Sequence, residues 1–235
     1  MRVAAGRLYL PWVVLPTPER EAAMRPLIAT IRLERFRQNY LLARQQHGGR
    51  ALAVVKANAY GHGIERVYDA FKSADGFALL DIDEAKRIRA LGWQGSVLLL
   101  EGIFSAQDLY DCEKYQLSFT IHSEAQLKWL NEFSTTSRFN IYLKMNSGMN
   151  RLGFAAVHYR DIWQQLSQLN NVQSITHMMH FSDADGERLG SDGIEHQCQI
   201  FDAVIQGLPG ARSVCNSAAI LRHADLSSDV IRSGI

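Results

Sequence analysis

The stretch LAVVKANAYGHG, residues 52–63, joins an apolar run to a glycine-rich segment and places Lys56 at the junction. The first four residues include two β-branched valines, which is typical of a buried strand. The residues after the lysine contain two glycines and an asparagine, which indicates a tight loop. A lysine at a strand end either extends its ammonium group into water or directs its amine into a site. The rest of the sequence has to choose between these two interpretations.

The composition describes an ordinary globular chain. It has 235 residues, of which 47% are hydrophobic and 21% charged, and its formal net charge is +1. A chain of this length buries a core without a disulfide or metal. The basic residues are scattered, so we expect neither nucleic acid nor a membrane as partner. The three cysteines are odd in number and form no CxxC pair, which predicts a cytoplasmic location.

The amino-terminal residues differ from the rest. Pro11 and Pro16 interrupt a short apolar stretch that is too short to span a membrane, and no small-residue cleavage site follows it. Met24 then opens the run MRPLIATIRLERFRQNY, which is typical of a protein start. We therefore predict that residues 1–23 are a non-native or misassigned leader, with a weak export signal or a genuine extension as the alternatives, and that one domain covers residues 24–235.

Short apolar, β-branched runs alternate with amphipathic segments along the chain. The predicted strands are 51–55, 76–80, 96–100, 118–121, 139–145, 173–180, 212–215 and 229–232, with a ninth over 27–32. The predicted helices are 33–47, 64–73, 83–91, 105–115, 123–133, 157–168, 192–207 and 217–223. Ser105 and Ser123 stand at N-cap positions of two of them.

Eight strands with helical crossovers in this length predict an α/β fold, a (β/α)8 barrel of the TIM type. A doubly wound open sheet is the alternative, although it usually has fewer strands. The eighth strand has barely begun when the sequence stops at DVIRSGI. We therefore expect a barrel that is truncated at the eighth strand.

Polar side chains cluster at the predicted carboxyl ends of the strands, where barrels of this type place their functional residues. Together they provide lysines, arginines, histidines and a serine at one mouth, which suits an anionic ligand. These residues are Lys56, Glu101, His122, Lys144, Arg151, His180, Asn216, Ser217 and Arg232.

The loops after strands seven and eight are where such barrels often hold a phosphate. Ser217 opens a helix, and its hydroxyl and the helix N–H groups suit a phosphate. Gly234 and Ile235 add backbone N–H groups. A phosphate there, with Lys56 across the mouth, is the arrangement of a pyridoxal phosphate site. The alternative of a metal site at His177 and His180 lacks acidic or cysteine partners at zinc-site spacing.

The segment AVVKANAYGHG resembles the lysine motif of bacterial alanine racemases, which are fold-type III pyridoxal phosphate enzymes. The segments LKMNSGMNRLGF, HFSDAD, CNSAAIL and DVIRSGI resemble later motifs of that family, in the same order and at compatible spacing. The resemblance runs from about Met24 to Ile235. It implies an isomerase that interconverts L-alanine and D-alanine and supplies D-alanine for peptidoglycan.

The resemblance also implies a role for each matching residue. Lys56 would hold the cofactor and act as the base on one face of the substrate. Arg151 would approach the phenolic oxygen, Arg232 would face the pyridine nitrogen, and His180 would join the hydrogen-bond network. Lys144 matches a lysine that is carbamylated in some members and then orients the arginine. The residues implied around the phosphate are Tyr60, Asn216, Ser217, Gly234 and Ile235.

Two departures from the family accompany the resemblance. Asn146 stands where the family commonly has aspartate. The family is a homodimer whose carboxyl-terminal β-domain gives a second base, a tyrosine, to the partner's site, and no residue here matches it. We therefore expect this chain alone to racemise alanine poorly. A non-enzymatic pyridoxal phosphate carrier with a single barrel is the alternative function, although the run NAYGHG argues against it.

Overall fold

The computed structural model describes residues 28–186 and 193–234. The chain divides into two units, residues 1–31 and 32–235, and the second unit contains all of the helices and strands described below. The leader predicted over residues 1–23 and the predicted site residue Ile235 both lie outside the described residues.

Eight parallel strands form one sheet that curves into a barrel. They are β1 (Arg50–Val54), β2 (Gly76–Leu79), β3 (Ser96–Leu99), β4 (Ser118–Ile121), β5 (Phe139–Asn146), β6 (Val172–Met178), β7 (Ala211–Ser213) and β8 (Val230–Ser233). Along the sheet β1 to β7 follow in sequence order, and β8 pairs with β1. A two-residue segment, Phe154–Ala155, also pairs with the end of β5. The α/β barrel predicted from the strand count is confirmed.

The helices lie between the strands in chain order. They are α1 (Leu33–His47), α2 (Ile64–Val67, continued by a 3₁₀ turn over Tyr68–Phe71), α3 (Ile82–Ala90), α4 (Asp108–Lys114), α5 (Glu124–Glu132), α6 (Ala156–Ser167), α7 (Ile194–Ile205) and α8 (Ser217–Arg222). No helix in the described part of the chain is long and apolar enough to cross a membrane.

One of the two predicted N-caps is correct. The Ser123 side chain accepts a hydrogen bond from the Gln126 amide and caps α5. The prediction for Ser105 is wrong, because its hydroxyl donates to the Asp108 carboxylate, which also accepts the Ser105 and Phe104 amides. This carboxylate orders the loop before the helix, so α4 begins at Asp108.

The predicted strand over residues 27–32 is also wrong for its described residues. Residues 28–32 have no regular secondary structure, and Ile28 is 85% exposed. Alternating apolar residues favour a strand only where a neighbouring strand satisfies the backbone hydrogen bonds. The described strands offer this segment no such ladder.

The barrel is nearly closed at the seam between β7 and β8. On one side, β8 pairs with β1 over four residue pairs, from Arg50–Val230 to Ala53–Ser233. On the other side, the Arg232 amide donates to the Cys215 carbonyl at 3.0 Å. The Ser213 hydroxyl donates to the Val230 carbonyl at 2.8 Å. Single hydrogen bonds therefore complete the seam where the regular ladder ends.

Alternation along the strands separates two cores. One face of each strand packs against the helices, and the other contributes to a smaller cluster inside the barrel that consists of Leu52, Val54, Ala78, Leu98, Tyr142, Met178 and Val230. Because strand side chains alternate with a period of two, Lys144, His180 and Arg232 continue the inward-facing series. The strand pattern therefore directs these polar side chains toward the carboxyl end of the barrel interior.

Gly102, which follows β3, lies where the carboxyl end of the barrel is tightly packed. Its φ is +75°, and a Cβ there would collide with the Thr120 carbonyl oxygen, a backbone atom that cannot move away. We expect Gly102→Ala to reduce the free energy of unfolding by about 3 kcal/mol in urea titrations.

Gly92→Ala is the matched control, since Gly92 also has a positive φ, +92°, but open space around it. It carries only the conformational penalty, about 1 kcal/mol. Equal losses in the two variants would contradict the packing described for Gly102.

Candidate active site

A pocket opens at the carboxyl ends of the strands. Four basic side chains and a single carboxylate, Glu101, line it. Every residue to which the family resemblance gives a role, and which the structure describes, is part of the lining: Lys56, Tyr60, Lys144, Arg151, His180, Asn216, Ser217, Arg232 and Gly234. The excess of positive charge makes this mouth a suitable site for an anionic ligand.

Sequence reasoning missed the apolar floor of the pocket and misplaced one histidine. Val54, Leu80, Leu100 and Met178 form the floor. The period of two from the interior cluster was the signal that would have identified them. The His122 ring does not line the pocket, because its Nε2 lies 3.0 Å from the Glu101 carbonyl.

Lys56 begins a turn of unusual backbone conformation. Ala57, Asn58, Ala59 and Tyr60 all have positive φ angles, between 52° and 55°, so four consecutive non-glycine residues are left-handed. A left-handed conformation costs roughly 1–2 kcal/mol per residue. Such strain persists only where the surrounding structure maintains it, and it is concentrated at functional sites.

Main-chain hydrogen bonds close this turn onto the end of β1. The Ala59 amide donates to the Val55 carbonyl at 2.8 Å, and the Gly61 amide donates to the Ala57 carbonyl at 2.9 Å. The Lys56 ammonium group lies 5.9 Å from the centre of the Tyr60 ring. The turn therefore presents the amine and the phenol to the same pocket.

Tyr60, Ser217 and Gly234 come together at one side of the mouth. The Gly234 amide donates to the Ser217 hydroxyl at 2.7 Å. A Cβ on Gly234 would lie 2.5 Å from the Tyr60 hydroxyl oxygen and 3.6 Å from the Ser217 hydroxyl oxygen. Only glycine leaves room for the tyrosine here, so two hydroxyl groups and a backbone amide converge at this point.

Hydrogen bonds to residues outside the pocket lining orient the side chains of Asn216 and Arg232. The Asn216 side chain caps α8 by accepting the Ala219 amide at 3.0 Å. The Arg232 guanidinium donates to the Ser213 carbonyl and the Met179 carbonyl, each at 2.7 Å. Burial lowers the pKa of Arg232 to about 10. At neutral pH it therefore remains a fixed cation.

Lys144 is a buried amine, only 5% exposed. Burial, followed by the positive charges of Arg151 and Arg232, lowers the pKa of the Lys144 ammonium group to about 8. Near neutral pH an appreciable fraction of Lys144 is therefore uncharged and nucleophilic.

His180 is uncharged under the same influences. Burial, followed by the charges of the surrounding basic side chains, lowers the pKa of its imidazole to about 3. A neutral imidazole both donates and accepts hydrogen bonds. His177 does not share the pocket, because its ring is buried between the Tyr159 hydroxyl and the Pro209 carbonyl.

Asn146 organises the loop that leads to Arg151. Its side-chain oxygen accepts the Gly148 amide at 3.2 Å and the Asn150 amide at 3.0 Å, and its side-chain amide donates to the Asn150 side chain at 3.0 Å. An aspartate would keep the two backbone contacts but would lose the third. Asn146 therefore shapes the loop and does not enter the pocket.

Comparisons with known proteins identify the family of this chain. Residues 31–235 match the family model described as "Alanine racemase, N-terminal domain". The chain is 60% identical over 213 residues to an alanine racemase of Acinetobacter baumannii (strain SDF), and 51% identical over 215 residues to one of Acidovorax sp. (strain JS42). In both cases the match covers 90% of this chain and 58% of the relative.

A solved structure shows the same fold. The biosynthetic alanine racemase of Pseudomonas aeruginosa superimposes with a TM-score of 0.85 at 36% identity, over 90% of this chain and 59% of that one. The chain thus spans somewhat more than half the length of the proteins it matches.

The depressed pKa of His180 predicts a pH effect on stability. Its pKa is about 3 in the folded state and about 6.5 in the unfolded state. Between these values only the unfolded state binds the proton, so stability is lost as the pH falls through this range. From pH 6.5 to 4.5, we expect the free energy of unfolding of His180→Gln to fall less steeply than that of the wild type.

The control is His158→Gln, since His158 lies on the exposed face of α6. Urea titrations across this pH range measure the slopes. His158→Gln should keep the wild-type slope. If His180→Gln kept it as well, His180 would not be the buried neutral group described here.

Proposed function

The chain belongs to the alanine racemase family, and from that membership we propose that it provides the pyridoxal phosphate-binding barrel of an enzyme that interconverts L-alanine and D-alanine. The observation that supports the proposal most strongly is the placement of Lys56. Its amine enters, from a strained left-handed turn, a pocket with an excess of positive charge. Lysine is the residue that binds this cofactor covalently.

The residues present fit the cofactor, which has an anionic phosphate and an anionic phenolic oxygen. The missing Cβ of Gly234 lets the Tyr60 and Ser217 hydroxyls converge with a backbone amide, and hydroxyl and amide donors suit a phosphate. We assign the phosphate to Tyr60, Asn216, Ser217, Gly234 and Ile235. Arg151 would contact the phenolic oxygen, and His180 would join the hydrogen-bond network of the site.

When bound, pyridoxal phosphate withdraws electrons from the α-carbon of an attached amino acid and so makes its proton acidic. Lys56 would exchange that proton on one face of the substrate, and inversion would need a second base that exchanges a proton on the opposite face. Arg232 is protonated at neutral pH and only donates hydrogen bonds. Opposite the ring nitrogen it would oppose protonation there and favour return of the proton to the α-carbon, which racemisation requires.

Lys144 has the chemistry needed for carbamylation. Its uncharged amine would attack the carbon of CO2, form an N–C bond and release a proton. The product is an anion beside Arg151, and it would replace the repulsion between two cations with an attraction that orients the arginine. We expect a carbamate signal in NMR spectra with ¹³C-labelled CO2.

At a fixed concentration of dissolved CO2, this signal should increase as the pH rises through about 8, because the pKa of Lys144 sets the neutral fraction. The control is Lys144→Arg, whose guanidinium forms no carbamate. A signal that persists in this variant would assign the carbamate to another amine.

The proposed function is tested by covalent attachment of the cofactor. We expect the purified chain to develop a new absorbance band with pyridoxal phosphate, and borohydride to make the attachment permanent. Lys56→Ala should reduce borohydride-fixed cofactor at least 100-fold, since no other amine occupies the turn. Lys72→Ala, which removes an exposed lysine paired with Asp69, is the control and should behave as the wild type.

Wild-type levels of fixed cofactor in Lys56→Ala would show that another lysine binds the cofactor. They would remove the main support for the proposal.

A further inference from the structure

A carboxylate outside the pocket holds the turn that presents Lys56. Glu84 lies in the first turn of α3 and is 9% exposed. Its Oε1 accepts a hydrogen bond from the Asn58 backbone amide at 2.6 Å. Within the described part of the chain, its Oε2 is buried and has no hydrogen-bond partner. A buried carboxylate with one unsatisfied oxygen is costly, so its contact with Asn58 calls for a reason beyond stability.

The Asn58 side chain is held by α3 and by the first residue of α2. Its Oδ1 accepts hydrogen bonds from the Arg87 guanidinium at 2.7 Å and from the Ile64 amide at 3.1 Å. Arg87 is itself oriented by Glu65 through two contacts of 2.6 Å. Two side chains of α3, one acidic and one basic, thus hold the backbone and the side chain of the same left-handed residue.

The main chain leaves the Asn58 amide dependent on Glu84. The Ala59 and Gly61 amides find carbonyl acceptors within the turn and at the end of β1, whereas the Asn58 amide finds the Glu84 carboxylate. A charged acceptor makes a stronger hydrogen bond than a carbonyl does. Without it, Asn58 would lose the contact that opposes relaxation of its left-handed conformation.

We infer that Glu84 is a positioning residue: by holding Asn58 in the left-handed turn it sets the direction of the Lys56 amine and the Tyr60 hydroxyl, although it touches neither. The inference rests on the proposed function only in so far as Lys56 binds the cofactor. Displacement of a reacting group by about 1 Å can cost roughly 100-fold in rate. Loss of the contact between Glu84 and Asn58 should therefore slow the attachment of the cofactor to Lys56.

The first measurement uses the protein without cofactor. Hydrogen exchange should show a protected Asn58 amide in the wild type and at least ten-fold faster exchange in Glu84→Ala. Glu84→Gln keeps an acceptor oxygen at the same place, so it should restore most of the protection. The matched control is Asp83→Asn, because Asp83 lies in the same helical turn, is exposed and does not contact Asn58.

The second measurement is the rate at which Lys56 attaches pyridoxal phosphate. We expect at least a ten-fold decrease in Glu84→Ala, less than a three-fold decrease in Glu84→Gln and no change in Asp83→Asn. Arg89→Ala serves as a destabilised control. Arg89 belongs to α3, but it binds the carbonyls of Trp93, Gly95, Tyr115 and Gln116, away from the turn. It should lower the melting temperature without slowing attachment.

If Glu84→Ala does not fold, Glu84→Asp replaces it, since the shorter side chain withdraws the acceptor oxygen from the Asn58 amide but keeps the carboxylate. Wild-type exchange and attachment in the variant that folds would overturn the inference, as would equal slowing by Arg89→Ala. A wild-type chain that attaches no cofactor would contradict the proposed function. The exchange data would then decide the role of Glu84 by themselves.

Discussion

The left-handed turn from Lys56 to Tyr60 is the constraint around which the pocket is arranged. A right-handed continuation of the chain after β1 would be favoured for these residues, yet four of them in succession are left-handed. Hydrogen bonds from the end of β1 and from α3 compensate for the strain. As a result, the Lys56 amine and the Tyr60 phenol both reach the mouth of the pocket, next to Ser217 and Gly234. These residues lie at the seam where β8 joins β7 and β1.

Electrostatic repulsion is the second determinant of the site. Lys56, Lys144, Arg151 and Arg232 share a pocket with one carboxylate. Burial and these positive charges lower the pKa of His180 to about 3, so that it is uncharged, and the pKa of Lys144 to about 8. Arg232 stays charged because backbone carbonyls accept its hydrogen bonds. A ligand with a phosphate and a phenolic oxygen would relieve this repulsion.

Much of the fold and of the pocket could be predicted from the sequence because both follow from the periodicity of the strands. Once the strands were placed, the carboxyl-end rule brought Lys56, Lys144, His180 and Arg232 to one mouth. The rule failed for His122, which binds a backbone carbonyl outside the pocket. It also gave no sign that residues 28–32 would have no regular secondary structure.

The turn itself could not be predicted in the same way. Alanine and tyrosine have no local preference for positive φ, so the conformation of residues 57–60 depends on contacts that are distant in sequence. Glu84 is 26 positions from Asn58, and its helical pattern indicates only a first-turn acid. Its contact with the turn appears only when α3 packs against α2, the helix that follows the turn.

The most direct test of the role of the turn is to find which lysine binds the cofactor. The chain would be incubated with pyridoxal phosphate near pH 8, reduced with borohydride, digested and mapped by mass spectrometry. If the uncharged fraction of an amine alone governed attachment, Lys144 would be labelled, because its pKa is lowered to about 8. We expect the label on Lys56 alone, since the turn directs that amine into the mouth. Label on Lys144, or spread over exposed lysines, would contradict this.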